Sequence, residues 1–256
     1  MHIALYQCLP RPLDVAGNLQ RLEEQARAAK ADLLVCPEMF LTGYNIGLQA
    51  ASRLAEPADG PSMQRIAQMA REHDIAILYG YPERGADGQL YNSAQLVDRT
   101  GRPLLNYRKT HLFGALDRSM FSAGAEHCPV VELQGWKLGV LICYDLEFAE
   151  NARQLALAGA QLIVVPTANM QPFEFIADVT VRSRAFENHC YVAYANYCGV
   201  EGEIHYCGHS SVADPLGHVS GQGQLAEGLV TATLDSSVAS AARHHNDYLT
   251  DRRTNL

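Results

Sequence analysis

Apolar positions along this chain follow two rhythms. Short, nearly continuous apolar runs at residues 3–7, 32–36, 75–81, 137–143, 161–166 and 190–196 predict buried strands. Between them, residues 18–30 set Leu19, Leu22, Ala26 and Ala29 at spacings of three and four, the signature of an amphipathic helix. Further helices are predicted over 60–73, opened by Gly60-Pro61, over 146–158 and over 175–188. Asp87-Gly88 marks a hairpin turn before a strand at 89–98. Residues 210–214 and 229–234 are expected to form a late strand pair around the turn at Pro215-Leu216-Gly217. The polar tail from Ser236 onward is expected to pack as an extended arm.

Strand–helix alternation predicts an α/β fold, and the hairpins between adjacent strands make its sheets mixed rather than purely parallel. There is no fixed-period repeat, low-complexity linker or break in composition, so residues 1–256 are expected to be a single domain.

Charge removes several classes of function. The net charge of −8 disfavours non-specific binding to nucleic acid or to an anionic membrane, both of which need a basic face. No apolar run approaches the ~20 residues that span a bilayer, and Met1–Pro10 lacks the basic-then-apolar pattern of a signal peptide. A soluble, cytoplasmic protein is expected. Its seven cysteines, an odd number without a CxxC pair, are expected to be free thiols in a reducing compartment.

Three residues stand where chemistry is possible. Cys143 closes the run Gly139–Ile142 and is followed by Tyr144-Asp145-Leu146-Glu147, so a strand turns abruptly into a helix there. Such an elbow exposes a side chain beside free backbone N–H groups, and a helix start favours thiolate over thiol. Glu38 follows Cys36-Pro37 and sits beside Met39, Phe40 and Leu41; a buried carboxyl there would have a raised pKa, suited to carrying a proton. Lys109 lies among Tyr107, Leu112 and Phe113 and would supply a fixed positive charge. Taken alone, each has a plainer reading: a core Cys, a capping or surface Glu, a surface Lys. Together, all three follow the ends of predicted strands, where α/β sheets collect their ligands.

The segments PEMFLTGYN, YRKTHLFG and GVLICYDLEF resemble the three signature segments of the nitrilase superfamily of carbon–nitrogen hydrolases, in that family's order. The resemblance implies a four-layer α-β-β-α sandwich, a Glu38–Lys109–Cys143 triad, no metal or organic cofactor, and a homodimer that stacks sandwiches face to face. It also implies that the backbone N–H of Tyr144 joins Lys109 in holding an oxyanion. The sequence departs from the family in two places. Asp117 stands where many relatives have a second Glu, with a supporting role or a salt bridge to Arg118 as its two readings. Ala149 stands where relatives often have Pro.

Within the superfamily, IALYQ, LLVCPEMFLTGYNIG, YGYPERG, LDRSMFS, VPTANM and YANYCG resemble the 5-aminopentanamidase group and amidases acting on R-configured amides. The implied partner is a small-molecule amide, 5-aminopentanamide, hydrolysed to the acid and ammonia. A substrate ammonium needs a carboxylate or another acceptor at the far end of the pocket. Glu147, Glu174 and Asp178 are candidates, with Tyr44 and Asn169 as possible pocket lining or turn chemistry. Nitrile hydrolysis uses the same triad and is the nearest alternative, followed by R-selective amino-amide hydrolysis. N-carbamoyl hydrolysis would want an Arg cluster that the triad segments lack. A zinc site on His205, Cys207 and His209 lacks a fourth ligand, and His244-His245 is weaker still. A silent binding protein on the same fold would be expected to lose a triad residue, and none is lost.

Overall fold

A computed structural model describes residues 1–244 and 246–253. The chain runs β1 (His2–Gln7), α1 (Val15–Ala28), β2 (Leu33–Val35), α2 (Gly47–Leu54), α3 (Pro61–Glu72), β3 (Ala76–Arg84), β4 (Leu90–Val97), β5 (Pro103–Arg108) and α4 (Gly114–Met120). It continues through β6 (Val131–Leu133), β7 (Trp136–Val140), α5 (Ala149–Leu157), β8 (Leu162–Pro166), α6 (Val181–Asn188) and β9 (Tyr191–Ala195). A hairpin, β10 (Cys198–Glu201) and β11 (Ile204–Cys207), precedes β12 (Ser211–Ala213), β13 (Val219–Gln222), β14 (Gly228–Thr233) and α7 (Ser236–Ala242).

Two six-stranded mixed sheets form, in the orders β14-β1-β2-β3-β4-β5 and β13-β12-β9-β8-β7-β6. The period of two along each strand decides the layering. Ile3, Leu5, Leu33, Val35, Ala76 and Leu78 join Leu138, Val140 and residues of β8 and β9 in a core shared by both sheets. The alternate residues Ala4, Tyr6, Leu34, Ile77 and Tyr79 face outward onto Leu22 and Ala26 of α1 and Ile66, Met69 and Ala70 of α3. On the second sheet, α5 lies so close that a Cβ at Gly139 would fall 2.5 Å from a methyl of Leu155. Helix, sheet, sheet and helix make the four-layer sandwich expected from the sequence.

The late strand pair is different from expectation. The turn at 215–217 joins β12 to β13, whereas β14 crosses to the other sheet and pairs antiparallel with β1, placing Leu5 opposite Val230. The alternating pattern was read correctly as strand, but it reports which face is buried, not which partner is bonded. The tail also differs. Its described part opens with α7 rather than an extended arm, and the Asp235 side chain caps that helix by accepting the Ser237 N–H at 2.8 Å. Helix α5 starts at Ala149, so the missing Pro does not prevent a helix start there. Residues 175–188 are helical throughout, as expected, with a wider π-helical segment, Ile176–Thr180, leading directly into α6.

Candidate active site

Glu38, Lys109 and Cys143 all lie just beyond carboxyl ends of strands: after β2, β5 and β7 respectively. The first two come from one sheet and the third from the other, so the site straddles the sandwich. The Glu38 elbow is pressed onto β3. A Cβ at position 80 would sit 2.4 Å from the Met39 nitrogen and 2.9 Å from the Glu38 carbonyl carbon, so only glycine admits this approach. Met39 takes a left-handed φ of 48°, and the Met39 carbonyl accepts the N–H of Gly43 at 3.0 Å, closing the turn.

Glu38 and Lys109 are each 0% exposed. Lys109 Nζ donates to Glu38 Oε1 at 2.7 Å and to Asp117 Oδ2 at 2.6 Å. Asn92 Nδ2 also donates to Glu38 Oε1, at 2.7 Å, while Glu38 Oε2 is buried without a partner. Asp117 is fixed by two more donors: the Phe113 N–H at 2.9 Å and the Tyr44 hydroxyl at 2.8 Å. Asp117 therefore braces the lysine. The alternative partner, Arg118, instead donates to the Leu112 carbonyl at 3.0 Å. Tyr44 is placed in the site through Asp117.

Burial pushes the Glu38 pKa up, and the Asp117 carboxylate adds to this; the Lys109 charge opposes it, and the net direction is upward. Burial alone would lower the Lys109 pKa, but Glu38 and Asp117 overcome it and hold the ammonium well above its ordinary range. Lys109 is thus a fixed cation and Glu38 the group ready to take up a proton.

Cys143 is half-buried and has a left-handed φ of 47° at the head of a tight turn, Cys143–Glu147. The expectation that a helix start makes it a thiolate does not hold. Burial, then the Glu38 charge, raises its pKa; the Lys109 charge, the Thr167 hydroxyl and the Ala168 N–H act the other way without winning. A five-residue turn supplies too little dipole to overturn desolvation. The net effect favours the thiol over the thiolate at Cys143.

Asp145, also 0% exposed, ties the lysine loop to the cysteine elbow. Its Oδ1 accepts from the His111 N–H at 2.8 Å and the Thr110 hydroxyl at 3.0 Å. Its Oδ2 accepts from the Ile142 N–H and the Tyr107 hydroxyl, both at 3.0 Å. Asn92, Thr167 and Asp145 were not singled out from the sequence. A polar residue inside an otherwise apolar strand (Asn92) or just beyond one (Thr167) was the only available signal.

The remaining candidates separate clearly. The Asn169 side chain donates to the Phe173 carbonyl at 3.0 Å, and its backbone carbonyl accepts from Cys207; it is turn chemistry rather than a free pocket group. Asp178 lies on the π-helical segment with Oδ1 2.9 Å from His209 Nδ1, so it is already partnered. Glu174 lies near enough to Cys207 for its charge to help raise that thiol's pKa. Glu147 is half-buried near Lys109. Among the described residues, the only three potential metal ligands with donor atoms within 4.8 Å of one another are Glu23, Glu72 and His73, not the His205–Cys207–His209 set. His245 lies outside the described residues. No helix among the described residues is long and apolar enough to cross a membrane.

A thiol near a buried acid–lysine–acid cluster, set across a two-sheet sandwich, fits a hydrolase that works through a covalent cysteine adduct. The Carbon-nitrogen hydrolase family profile matches residues 2–244, and the chain belongs to that family. Over its full length the chain is 65% identical to a protein of Pseudomonas protegens described as "Hydrolase in pqqF 5'region", covering 90% of it. It is 37% identical to an (R)-stereoselective amidase of a Pseudomonas species, covering all of this chain and 93% of that protein. An amidase from Nesterenkonia sp. superposes with a TM-score of 0.87 at 33% identity, covering 100% of this chain and 94% of the other. A glutamate variant of that amidase carries the acetamide moiety of fluoroacetamide covalently bound at its active-site cysteine. The chain is an amidase of the nitrilase superfamily.

Proposed function

We propose that this amidase hydrolyses a small linear amide, 5-aminopentanamide in particular, with Glu38, Lys109 and Cys143 as its catalytic residues. The observation that carries the proposal is the unpartnered Glu38 Oε2, a buried carboxylate oxygen left open while its twin is held by Asn92 and Lys109. Leaving such an atom without a donor costs about 1–3 kcal/mol, a cost that makes sense where a proton must come and go.

The Glu38 Oε2 accepts the thiol proton of Cys143 as the sulfur attacks the amide carbon. The carbonyl oxygen becomes an oxyanion, held by Lys109 Nζ and the Tyr144 N–H; each donor of this kind contributes about 2.7–4 kcal/mol in the transition state. Glu38 returns its proton to the departing nitrogen, the C–N bond breaks, and ammonia leaves a thioester on sulfur. Water then gives a proton to Glu38 and attacks the thioester. The C–S bond breaks, the acid departs, and the proton goes back to Cys143.

Resemblance of the flanking segments and the relatedness to an (R)-stereoselective amidase favour an amide over a nitrile. The test is ammonia release from a panel: 5-aminopentanamide, butyramide, R and S cyclic amino-amides, a nitrile and a carbamoyl amino acid. If 5-aminopentanamide is turned over no better than butyramide, the particular substrate is wrong and the amidase assignment stands. We also propose a cytoplasmic homodimer. Phe175, Val179 and Phe186, 65%, 45% and 39% exposed along one stretch of chain, support an apolar face for the second copy. A monomer by sedimentation at micromolar concentration would refute it.

A further inference from the structure

We infer that Glu147 is the anchor for a cationic group on the substrate, so that the enzyme takes amides bearing an amine a few carbons from the carbonyl. This deepens the amidase reading and rests on it. Glu147 ends the same turn that Cys143 begins. At about 2.0 Å of rise per residue, four residues separate the two along the turn by roughly 8 Å, the scale of a short aliphatic chain.

Its carboxylate is half-buried, and among the described residues no side chain forms an ion pair or hydrogen bond with it. The nearby cation that might have neutralised it is otherwise engaged. Arg184 spends its guanidinium on the carbonyls of Leu146 and Glu147, at 3.0 and 2.8 Å, and on the Glu187 carboxylate at 3.0 Å. Lys109 is ion-paired with Glu38 and Asp117. Burial raises the Glu147 pKa, and the charges of Lys109 and Arg184 oppose this without winning.

Its surroundings fit an alkylammonium. Tyr144 and Phe148, the residues next to the thiol and next to Glu147, meet edge to face at 5.0 Å, and Tyr144 packs against Phe113 at 5.4 Å. Phe113 in turn meets Phe173 at 5.8 Å. Aromatic rings of this kind contact methylene groups and favour a cation over their faces. The charge of Glu147 also reaches Tyr194, whose hydroxyl is 3.2 Å from the Thr167 hydroxyl that acts on the thiol. The carboxylate and the nucleophile therefore share one neighbourhood.

The test compares kcat/KM for 5-aminopentanamide and pentanamide in the native enzyme and in Glu147→Gln. The native enzyme should prefer the aminated amide by about tenfold or more, which at 1.4 kcal/mol per decade is one charge-assisted contact. In Glu147→Gln the preference should fall toward one, mainly through KM. A native ratio near one, or an unchanged ratio with both substrates slowed together, overturns the anchor and leaves the amidase intact. If neither amide is hydrolysed by the native enzyme, the linear-amide substrate of the proposed function fails and the anchor fails with it, while the family assignment stands. Calorimetric binding of pentylammonium reads the anchor without turnover. Weaker binding to the variant supports it, and equal affinity overturns it.

Discussion

Two carboxylates near Cys143, the proposed nucleophile, are Glu38 and Asp145, both completely buried and yet finished in opposite ways. Asp145 accepts five donors, from Tyr107, Thr110 twice, His111 and Ile142, with the His111 ring nitrogen 3.1 Å away. Glu38 has one oxygen held by two donors and one held by none. A fully bonded carboxylate is a fixed point: every donor it accepts from would be orphaned by its loss. A half-bonded one is held in direction but remains open to a proton. In the proposed mechanism, the difference separates the residue that builds the site from the residue that works in it.

The sharpest way to break this comparison is to remove the group both carboxylates serve. Cys143→Ala should reduce ammonia release by about 10⁴-fold or more, to background, because the covalent route is lost. Its melting temperature should stay within a few degrees of the native enzyme, since only one half-buried sulfur is lost. Measurable turnover by this variant would remove Cys143 from the mechanism.

Glu38→Gln comes next. It keeps the shape and a carbonyl oxygen for Lys109 and Asn92 but cannot accept the thiol proton. A general base is worth about 10²–10⁴-fold, so kcat should fall by that range with the fold retained, because Lys109 keeps Asp117. The acid limb of the native pH–rate profile should also vanish. In the proposed mechanism activity requires the ionised Glu38, and burial raises its pKa, so native activity should be lost as pH falls through that raised value. An acid limb that persists in Glu38→Gln would assign the proton carrier elsewhere.

Asp145→Asn should do the reverse, costing stability first and rate second. An amide offers one oxygen and turns an NH₂ toward donors, so at least one of the buried donors now bound to Asp145 loses its acceptor. At about 1–3 kcal/mol for each group left unsatisfied, the melting temperature should drop by several degrees. The rate should fall more modestly, through displacement of Lys109 and Cys143 rather than loss of a reacting group. If Asp145→Asn is as slow as Glu38→Gln and as stable as the native enzyme, the two carboxylates are not distinct in kind.

How much of this was legible beforehand follows from the same contrast. Most strand positions could be read because local patterns fix them, with Pro37 after Cys36 and a turn directly after Ile142 marking two of the elbows, but β5, β6, β10, β11 and β13 were not named from the sequence. Pairing could not be read. β14 bonds to β1 across most of the chain, and nothing local in Gly228–Thr233 names that partner. The satisfaction of a carboxylate was equally hidden. Asp145 lies two residues past Cys143 in the sequence, but four of its donors come from Tyr107, Thr110 and His111, some 35 residues away. Asn169 shows the local kind of contact: its side chain donates to the Phe173 carbonyl, only four residues later. Ser/Ala-rich α7 carried too weak a periodicity to announce itself.

The smallest effect gives the finest test of Asp145 as a fixed point. Its contact with the His111 ring raises the His111 pKa, with burial opposing and losing. A raised folded-state pKa means that the protonated ring is favoured by the fold. That contribution to stability is complete below the unfolded value of about 6.5 and fades as pH rises through the folded value. His111 also stacks on Phe148, with ring centroids 4.0 Å apart, so protonation adds a cation to an aromatic face that borders the site. In Asp145→Asn the His111 resonance should titrate at lower pH than in the native enzyme, and the melting temperature should depend less on pH above neutrality. His111→Asn identifies the resonance among the ten histidines. A His111 that titrates identically with and without the Asp145 charge would mean that the knot binds the lysine loop through its backbone N–H and hydroxyl donors alone.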